Sequence, residues 1–311
     1  MLLERLQQHT KLSRTILDRY AETASKRYRV YEVDKRDGTK RRIEHPSSEI
    51  KSIQRWLIRA LIQNMPVHDA STAYSKGSSI RKNADRHVHS RYTVRLDFKE
   101  FFPSFGGAHV LDYLSNAYRN QDIVLSGDDL AFIRLIVCRN DKLTIGAPSS
   151  PGLTNAMMFD FDTKLAEWCT EKDLVYTRYA DDIFVSAWVP GALREVEAKA
   201  AKLAVEFPYA DLQLNREKTA HLSRKYKRSI TGLVITPTQT ISIGRDRKVR
   251  LKSDVYAYSK GKLLPEAQSR AAGMVAFVRD VEPTFYETLV RKYSNELLLK
   301  LQAGSRQSLK Y

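Results

Sequence analysis

Three aspartates hold the pattern best suited to chemistry. Asp97 closes a run, residues 92–98, that is rich in strand-forming side chains, and Asp181 and Asp182 lie between two further β-like runs at 175–179 and 183–187. Aspartate is a poor strand residue, so acids at the end of one strand and the tip of a nearby hairpin point to a task rather than a folding need. Clustered carboxylates repel and call for cations, and in a basic chain their hard oxygens imply Mg²⁺. Two such ions about 3.5–4 Å apart can activate an attacking hydroxyl and stabilise a leaving pyrophosphate oxygen, which is nucleotidyl transfer. Positioning and charge neutralisation then supply most of the catalysis.

Elements must hold these acids together. Residues 1–27 have a polar, helical pattern, and 29–32 and 41–44 read as strands joined through Asp37-Gly38, a good hairpin signal. Pro46-Ser47-Ser48 opens a helix with Ile50, Ile53, Leu57 and Leu61 near helical spacing. A loop, Tyr74-Ser75-Lys76-Gly77-Ser78-Ser79, precedes the Asp97 strand. Helices are predicted over 108–118 and 129–138, then over 153–168 after the loop Gly146-Ala147-Pro148-Ser149-Ser150-Pro151-Gly152. An amphipathic helix over 192–206, strands within 230–243 and a basic helical region from about 245 complete the chain, with no internal repeat.

The 311 residues carry 52 Lys plus Arg against 36 Asp plus Glu, a formal charge of +16. So basic a chain usually meets a polyanion, since neutralised phosphates release condensed counterions; charge alone does not separate nucleic acid from anionic lipid. Hydrophobic residues at 42% suffice for a sizeable core. No apolar run approaches the roughly 20 residues that span a bilayer, and the first residues lack a signal-peptide core. Cys138 and Cys169 form no CxxC pair, which disfavours a disulfide framework and a cysteine zinc site. The expectation is a cytoplasmic protein with no membrane partner.

The order of these segments resembles the reverse-transcriptase family over about residues 29–243. Asp97 matches its first metal-binding motif, Gly146-Ala147-Pro148-Ser149-Ser150-Pro151 its template- and nucleotide-positioning loop, Tyr179-Ala180-Asp181-Asp182 its metal-binding turn, and Asn215-Arg216-Glu217-Lys218-Thr219 its Lys-bearing segment. Within the family the chain resembles bacterial retron enzymes through Asn83-Ala84-Asp85-Arg86-His87, Ile230-Thr231-Gly232-Leu233 and Phe101-Phe102-Pro103-Ser104. It departs from them at Ile145, where that group has Gln before the Gly.

The resemblance implies an α+β right-hand polymerase with an antiparallel palm sheet and a helical thumb. Fingers would occupy 1–90, a palm with interleaved fingers helices (108–150) would occupy 91–235, and a basic thumb 236–311. It implies RNA-directed DNA synthesis with two Mg²⁺ ions and deoxynucleoside triphosphates. Asp97 and Asp181 would be primary ligands, with Asp182 weaker or indirect. Lys35 and Arg42, with Arg41 a near competitor, would grip the triphosphate, and Phe98, Gly146 and Lys218 would also face the nucleotide. Phe102 would exclude a ribose 2′-hydroxyl by collision. Asn83, His87, Thr231, Gly232, Arg245, Arg247 and Lys248 would contact RNA or DNA. The resemblance further implies a companion non-coding RNA, copied from an internal guanosine 2′-hydroxyl into branched RNA-linked DNA (msDNA), and antiphage defence through a separate effector protein. Another bacterial reverse transcriptase, of abortive-infection or diversity-generating type, and an RNA–DNA scaffold that controls an effector remain the alternatives.

Other residues have plainer readings. Gly127-Asp128-Asp129 mimics a polymerase signature but precedes a helical run, so it reads as a helix N-terminus. His87-Val88-His89 lacks a third metal ligand, which favours a structural or RNA-contact role. Asn83 and His87 could equally fasten a loop. Asp160 and Asp162 fall on different faces of one helix and read as surface charge.

Overall fold

Short runs of β-branched and aromatic residues become strands in this chain, and the longer amphipathic stretches between them become helices. The computed structural model describes residues 1–34, 38–118, 124–223, 225 and 228–307. The order begins α1 (Leu2–Thr10), α2 (Arg14–Glu22), β1 (Tyr28–Asp34), β2 (Lys40–Pro46), α3 (Ser48–Ala60), α4 (Ile80–Arg86) and β3 (Tyr92–Asp97). It continues with α5 (Gly107–Ala117), α6 (Gly127–Val137), α7 (Ser149–Met157), α8 (Phe159–Glu171), β4 (Val175–Tyr179), β5 (Asp182–Ala187) and α9 (Val196–Val205). The remainder is β6 (Ala220–Ser223), β7 (Arg228–Ile230), β8 (Leu233–Ile235), β9 (Ile241–Ser242), α10 (Arg245–Ser259), α11 (Pro265–Val281), α12 (Pro283–Tyr293) and α13 (Asn295–Gln307).

Two compact units result. The first is built from Met1–Ser78 and Val94–His221, the second from Ser79–Thr93 and the chain from Leu222 on. In the first unit, β1 and β2 form an antiparallel ribbon in which Val33 faces Arg41 and Glu32 faces Arg42. Gly38 in its turn has φ +81°, while Asp37 lies outside the described residues. The main sheet has the order β4-β5-β3-β6. β4 and β5 form a hairpin that pairs Tyr179 directly with Asp182, leaving Ala180 and Asp181 as its tip.

Helix α3 buries Ile50, Ile53, Trp56 and Leu57 on one stripe, and Leu61 just beyond it is also buried. A single apolar core runs from Leu2 in α1 through Phe98, Phe105, Phe161 and Val185 to Leu212. Asp128 and Asp129 do lie in the first turn of α6, where Asp129 closes a capping box with Ser126 and accepts the Leu3 N–H at 2.9 Å.

The helix predicted over 153–168 is really two. α7 starts earlier, at Ser149, because Pro148 already has helical dihedrals and Pro151 sits in the first turn, where its missing N–H costs nothing; the run breaks at Met158 before α8. Asp160 on α8 is exposed as expected, but Asp162 is a correction: it is fully buried. Its carboxylate accepts Arg178 Nε at 2.8 Å, Arg178 Nη2 at 2.6 Å and the Tyr176 hydroxyl at 2.5 Å. The helical wheel alone hides this, because the partner that makes burial tolerable comes from a strand 16 residues later.

The second unit holds the three-stranded sheet β7-β8-β9 with α4 against it, and the helices α10 to α13 around Val255, Val275, Val278 and Leu301. Arg228 is 1% exposed, and its guanidinium donates to the carbonyls of His87, Val88 and Ser90, closing the end of α4. His87 is itself fully buried, and burial first, then the charges of Arg228 and Arg86, depress its imidazole to about 3.

Two outcomes follow. Asp162→Ala strands the buried Arg178 charge and should cost about 3–5 kcal/mol, read as a lower urea midpoint; an unchanged midpoint contradicts the pairing. For His87 the native pKa lies below the unfolded value, so between those values the unfolded chain binds a proton that the native state does not. Its contribution is therefore present above the unfolded pKa and lost as pH falls toward 3, by up to about 1.4 kcal/mol per pH unit. His87→Gln should show a shallower loss of stability from pH 7 to pH 5 than the parent, and equal slopes would refute this.

Candidate active site

Backbone pairing brings the acids together. β3 ends on Asp97, and the next residue, Phe98, donates its N–H to the Asp181 carbonyl at 3.2 Å. On the other side, the Asp97 carbonyl accepts the Asn215 N–H at 2.7 Å and Phe98 bridges Leu214. The end of β3 is thus clasped between the hairpin tip and the 213–215 segment. Asp97 is 3% exposed, and Lys218 Nζ, delivered by the same segment, sits 2.8 Å from Asp97 Oδ1.

The tip itself is strained and braced. Ala180 has φ +57°, unusual for a residue with a Cβ. Its carbonyl accepts Arg178 Nη1 at 3.1 Å, so the buried Arg178–Asp162 pair supports the turn from behind. Asp181 is held above its usual value by burial and by the charge of Asp97. Burial likewise pushes Asp182 up to about 6, against the opposing pull of Arg95, whose Nε lies 2.8 Å from Asp182 Oδ1. Asp181 thus carries the charge of Asp97 as a neighbour, while Asp182 is held by an arginine.

Asp181 and Lys218 open into a cleft of about 570 Å³, with Asp97 just behind them at the end of β3. Its walls include Lys40, Arg41 and Arg42 from β2, Asp181, Phe102 and Lys218. Arg42 also pairs with Glu44 at 2.9 Å, and Lys35 lies outside the described residues. Phe102 is half-buried, whereas Phe98 is only 2% exposed and stacks on Phe101 with ring centroids 5.7 Å apart. Gly146 has φ +113°, and a Cβ there would stand 2.9 Å from the Glu44 carbonyl oxygen. That close approach lets Glu44 N–H donate to the Ile145 carbonyl at 2.8 Å, fixing the β1–β2 ribbon against the loop. Ile145 lines the cleft with aliphatic surface.

Sequence reasoning missed Arg139, Asn140 and Lys142 in this wall. They belong to a tight reversal in which Arg139 and Lys142 pair across Asn140 (φ +48°) and Asp141 (φ +61°). Asn-Asp between two apolar runs is the hairpin signal that could have found them. Arg139 Nη1 also holds Glu44 at 2.9 Å.

The residues expected to touch nucleic acid in the second unit divide in two. Asn83 and His87 are both 0% exposed, so from these positions they can shape α4 but present no side chain to a ligand. Thr231 and Gly232, with φ +46° and +79°, make the two-residue turn of the β7–β8 hairpin. Thr231 Oγ1 donates to the Ile80 carbonyl, and the Gly232 carbonyl accepts Arg247 Nη1 at 2.8 Å. Arg245 is exposed, and Lys248 pairs with Glu282 and lies 5.0 Å from the Phe285 ring centre.

As to a metal, no three His, Cys, Asp or Glu side chains converge into a ready-made cage among the described residues. The donor set nevertheless fits a hard divalent ion. Two carboxylates that repel each other, one already carrying an ammonium partner, are the partial shell that Mg²⁺ completes with substrate phosphates and water. Among the described residues, no helix is long and apolar enough to cross a membrane.

Comparison with known proteins agrees with this geometry. Residues 33–235 match the family model described as reverse transcriptase (RNA-dependent DNA polymerase). The chain is 30% identical to the retron Ec83 reverse transcriptase of Escherichia coli, over 89% of this chain and 90% of that one. It is 32% identical to the retron Ec73 reverse transcriptase of Escherichia coli, over 86% and 87%. In fold it resembles telomerase from Candida albicans, with a TM-score of 0.50 at 12% identity over 89% of this chain. Apo telomerase from Candida tropicalis gives 0.51 at 11% identity over 89% of this chain. This chain spans about three fifths of each telomerase chain, 61%, and the likeness shows the right-hand polymerase fold alone. From the family match and the similarity along nearly the whole of two retron enzymes, it follows that this chain belongs to the reverse-transcriptase family, among the bacterial retron reverse transcriptases, and is an RNA-directed DNA polymerase.

Proposed function

We propose that polymerisation occurs at Asp97 and Asp181, and that the cleft beside them is the deoxynucleoside triphosphate site. The observation that carries this is the pair of mutually repelling carboxylates held at the cleft edge by the Phe98–Asp181 backbone bond and countered by Lys218. Two Mg²⁺ ions held by Asp97 and Asp181, with Asp182 in support, would lower the pKa of the attacking hydroxyl and stabilise charge on the leaving pyrophosphate.

The chain's own residues do the rest. Arg41, Lys40 and Arg42 on β2 bind triphosphate oxygens, the guanidiniums as bidentate forks, and Lys35, which lies outside the described residues, is proposed to join them. Phe102 packs where a 2′-hydroxyl would otherwise sit. Lys218 would be released from Asp97 if a divalent cation took over that carboxylate, and its ammonium could then give a proton to the departing pyrophosphate, leaving a neutral amine. Gly146 keeps the ribbon and loop at working distance, and Phe98 fastens the tip through its backbone while its ring supports Phe101. Thr231, Gly232, Arg245, Arg247 and Lys248 form the nucleic-acid surface of the second unit, with Asn83 and His87 holding it in shape from within. Fingers, palm and thumb correspond in this reading to 1–90, 91–235 and 236–311.

The template is proposed to be a companion non-coding RNA, primed from an internal guanosine 2′-hydroxyl and converted into msDNA in the cytoplasm. A separate effector protein would use that product in antiphage defence. Support comes from the retron relatives and from the Asn83–His87 and Thr231–Gly232 elements.

Asp181→Asn together with Asp182→Asn should abolish primer extension on an RNA template, by at least about 10³-fold, while RNA binding in a gel-shift assay stays within about threefold. Full extension by that double variant refutes the site. Phe102→Ala should raise ribonucleotide incorporation relative to deoxynucleotide by on the order of 10²-fold, the scale of a removed steric rejection; an unchanged ratio removes Phe102 from that role.

A further inference from the structure

The loop before α4 places an aromatic ring in the cleft at a visible conformational cost. Tyr74 has φ +62°, and it is the only aromatic residue with positive φ among the described residues. It is 54% exposed, so no burial in the core explains the strained backbone. It lines the same cleft as Asp181, Phe102, Arg41 and Ile145. Glu100 (φ +42°) and Asn140 (φ +48°) also line that cleft, and Ala180 adjoins Asp181. Such strain persists only where surrounding contacts over-determine it, and it gathers at functional sites.

The contacts on either side of Tyr74 do over-determine it. Upstream, the chain is strapped to β4: Arg178 N–H donates to the Ala70 carbonyl at 2.8 Å, and Thr72 N–H donates to the Arg178 carbonyl at 2.8 Å. Asn155 Nδ2 adds a bond to the Ala73 carbonyl at 2.7 Å. Downstream, the Ser78 hydroxyl donates to the Ser75 carbonyl at 2.6 Å and accepts the Ser75 N–H at 3.1 Å. The strand that carries the Asp181 turn therefore also sets the position of Tyr74.

The cleft has cations for phosphate and Phe102 for the sugar, but few surfaces for a base. Phe98 and Phe101 are 2% and 4% exposed, which leaves Tyr74, with the aliphatic Ile145 and Pro103, as the uncovered apolar side chains for that purpose, and Tyr74 as the one with an aromatic face. We propose that Tyr74 contacts the substrate, its ring forming the wall on which the base of the incoming deoxynucleotide stacks. This rests on the reading of the cleft as the deoxynucleotide site. A stacking wall ignores base identity, because every base has a π-face. With Ile145 in the same lining, base contact in this cleft comes from apolar area rather than hydrogen bonds.

The test is steady-state single-nucleotide extension with each of the four deoxynucleotides, joined to thermal melting. Tyr74→Ala should raise KM about tenfold for all four, with kcat within about threefold, while Tyr74→Phe stays within about twofold of the parent on both. Tyr74→Gly should share the KM rise yet melt no lower than the parent, since glycine adopts this φ freely. The proposal is overturned by an unchanged KM in Tyr74→Ala, by a Tyr74→Phe variant as impaired as Tyr74→Ala, by a rise confined to one base, or by a fall in kcat alone. If Tyr74→Gly melts well below the parent, Tyr74 is a structural residue and the proposal fails. Parent enzyme that extends normally while Tyr74→Ala matches it sinks this inference alone; parent enzyme that does not extend at all sinks the reading of the cleft as well.

Discussion

Two carboxylates that repel each other are held side by side because the backbone leaves them no other place. Asp97 cannot retreat, since Phe98 N–H is bonded to the Asp181 carbonyl and the Asp97 carbonyl is bonded to Asn215. Burial first, and then the charge of Asp97, hold Asp181 above the usual carboxylate range. Cations near the cleft answer that charge: Lys218 on Asp97, Arg95 on Asp182, and Lys40, Arg41 and Arg42 along β2, with Glu44 and Glu100 in the same lining. A site so arranged gains most when divalent cations and a polyphosphate arrive together, each satisfying what the other leaves unpaired.

Rigidity for this arrangement comes from behind the hairpin. Arg178 and Asp162 are both wholly buried, and the guanidinium reaches the Ala180 carbonyl while the Arg178 backbone anchors residues 70–72. A buried ion pair is weak evidence for stability, because desolvation offsets much of the attraction. Its geometric value is clearer. One side chain fixes the strained turn, and its own backbone fixes the strap leading to Tyr74, so a single residue ties the two together.

Much of the site was legible in the sequence. Asp97 and Asp181–Asp182 stood out because acids are misplaced at strand ends unless they serve chemistry, and the β4–β5 hairpin followed from two β-like runs around them. The β1–β2 ribbon was equally plain from Asp37-Gly38 and its flanking runs, whereas Thr231–Gly232 stood out as a family element and only the structure makes it a turn. What stayed hidden depended on partners distant in sequence. Asp162 read as surface charge because its helix gives no hint of Arg178. The break at Met158 and the early start of α7 at Ser149 come from Pro148 conforming to a helix rather than preceding one. Arg139 and Lys142 stayed hidden because the reversal through Asn140 and Asp141 contains no glycine to mark its positive φ values. The positive φ of Tyr74 has no signature at all, since sequence usually marks that conformation with Gly, Asn or Asp.

The most direct test of the central claim is template-directed extension of a primer on RNA by the purified protein, followed nucleotide by nucleotide and repeated after chelation of divalent cations. The account predicts addition of the deoxynucleotide complementary to each template base, loss of all addition on chelation, and full return with Mg²⁺. Addition that ignores the template base, or that continues undiminished after chelation, would contradict it.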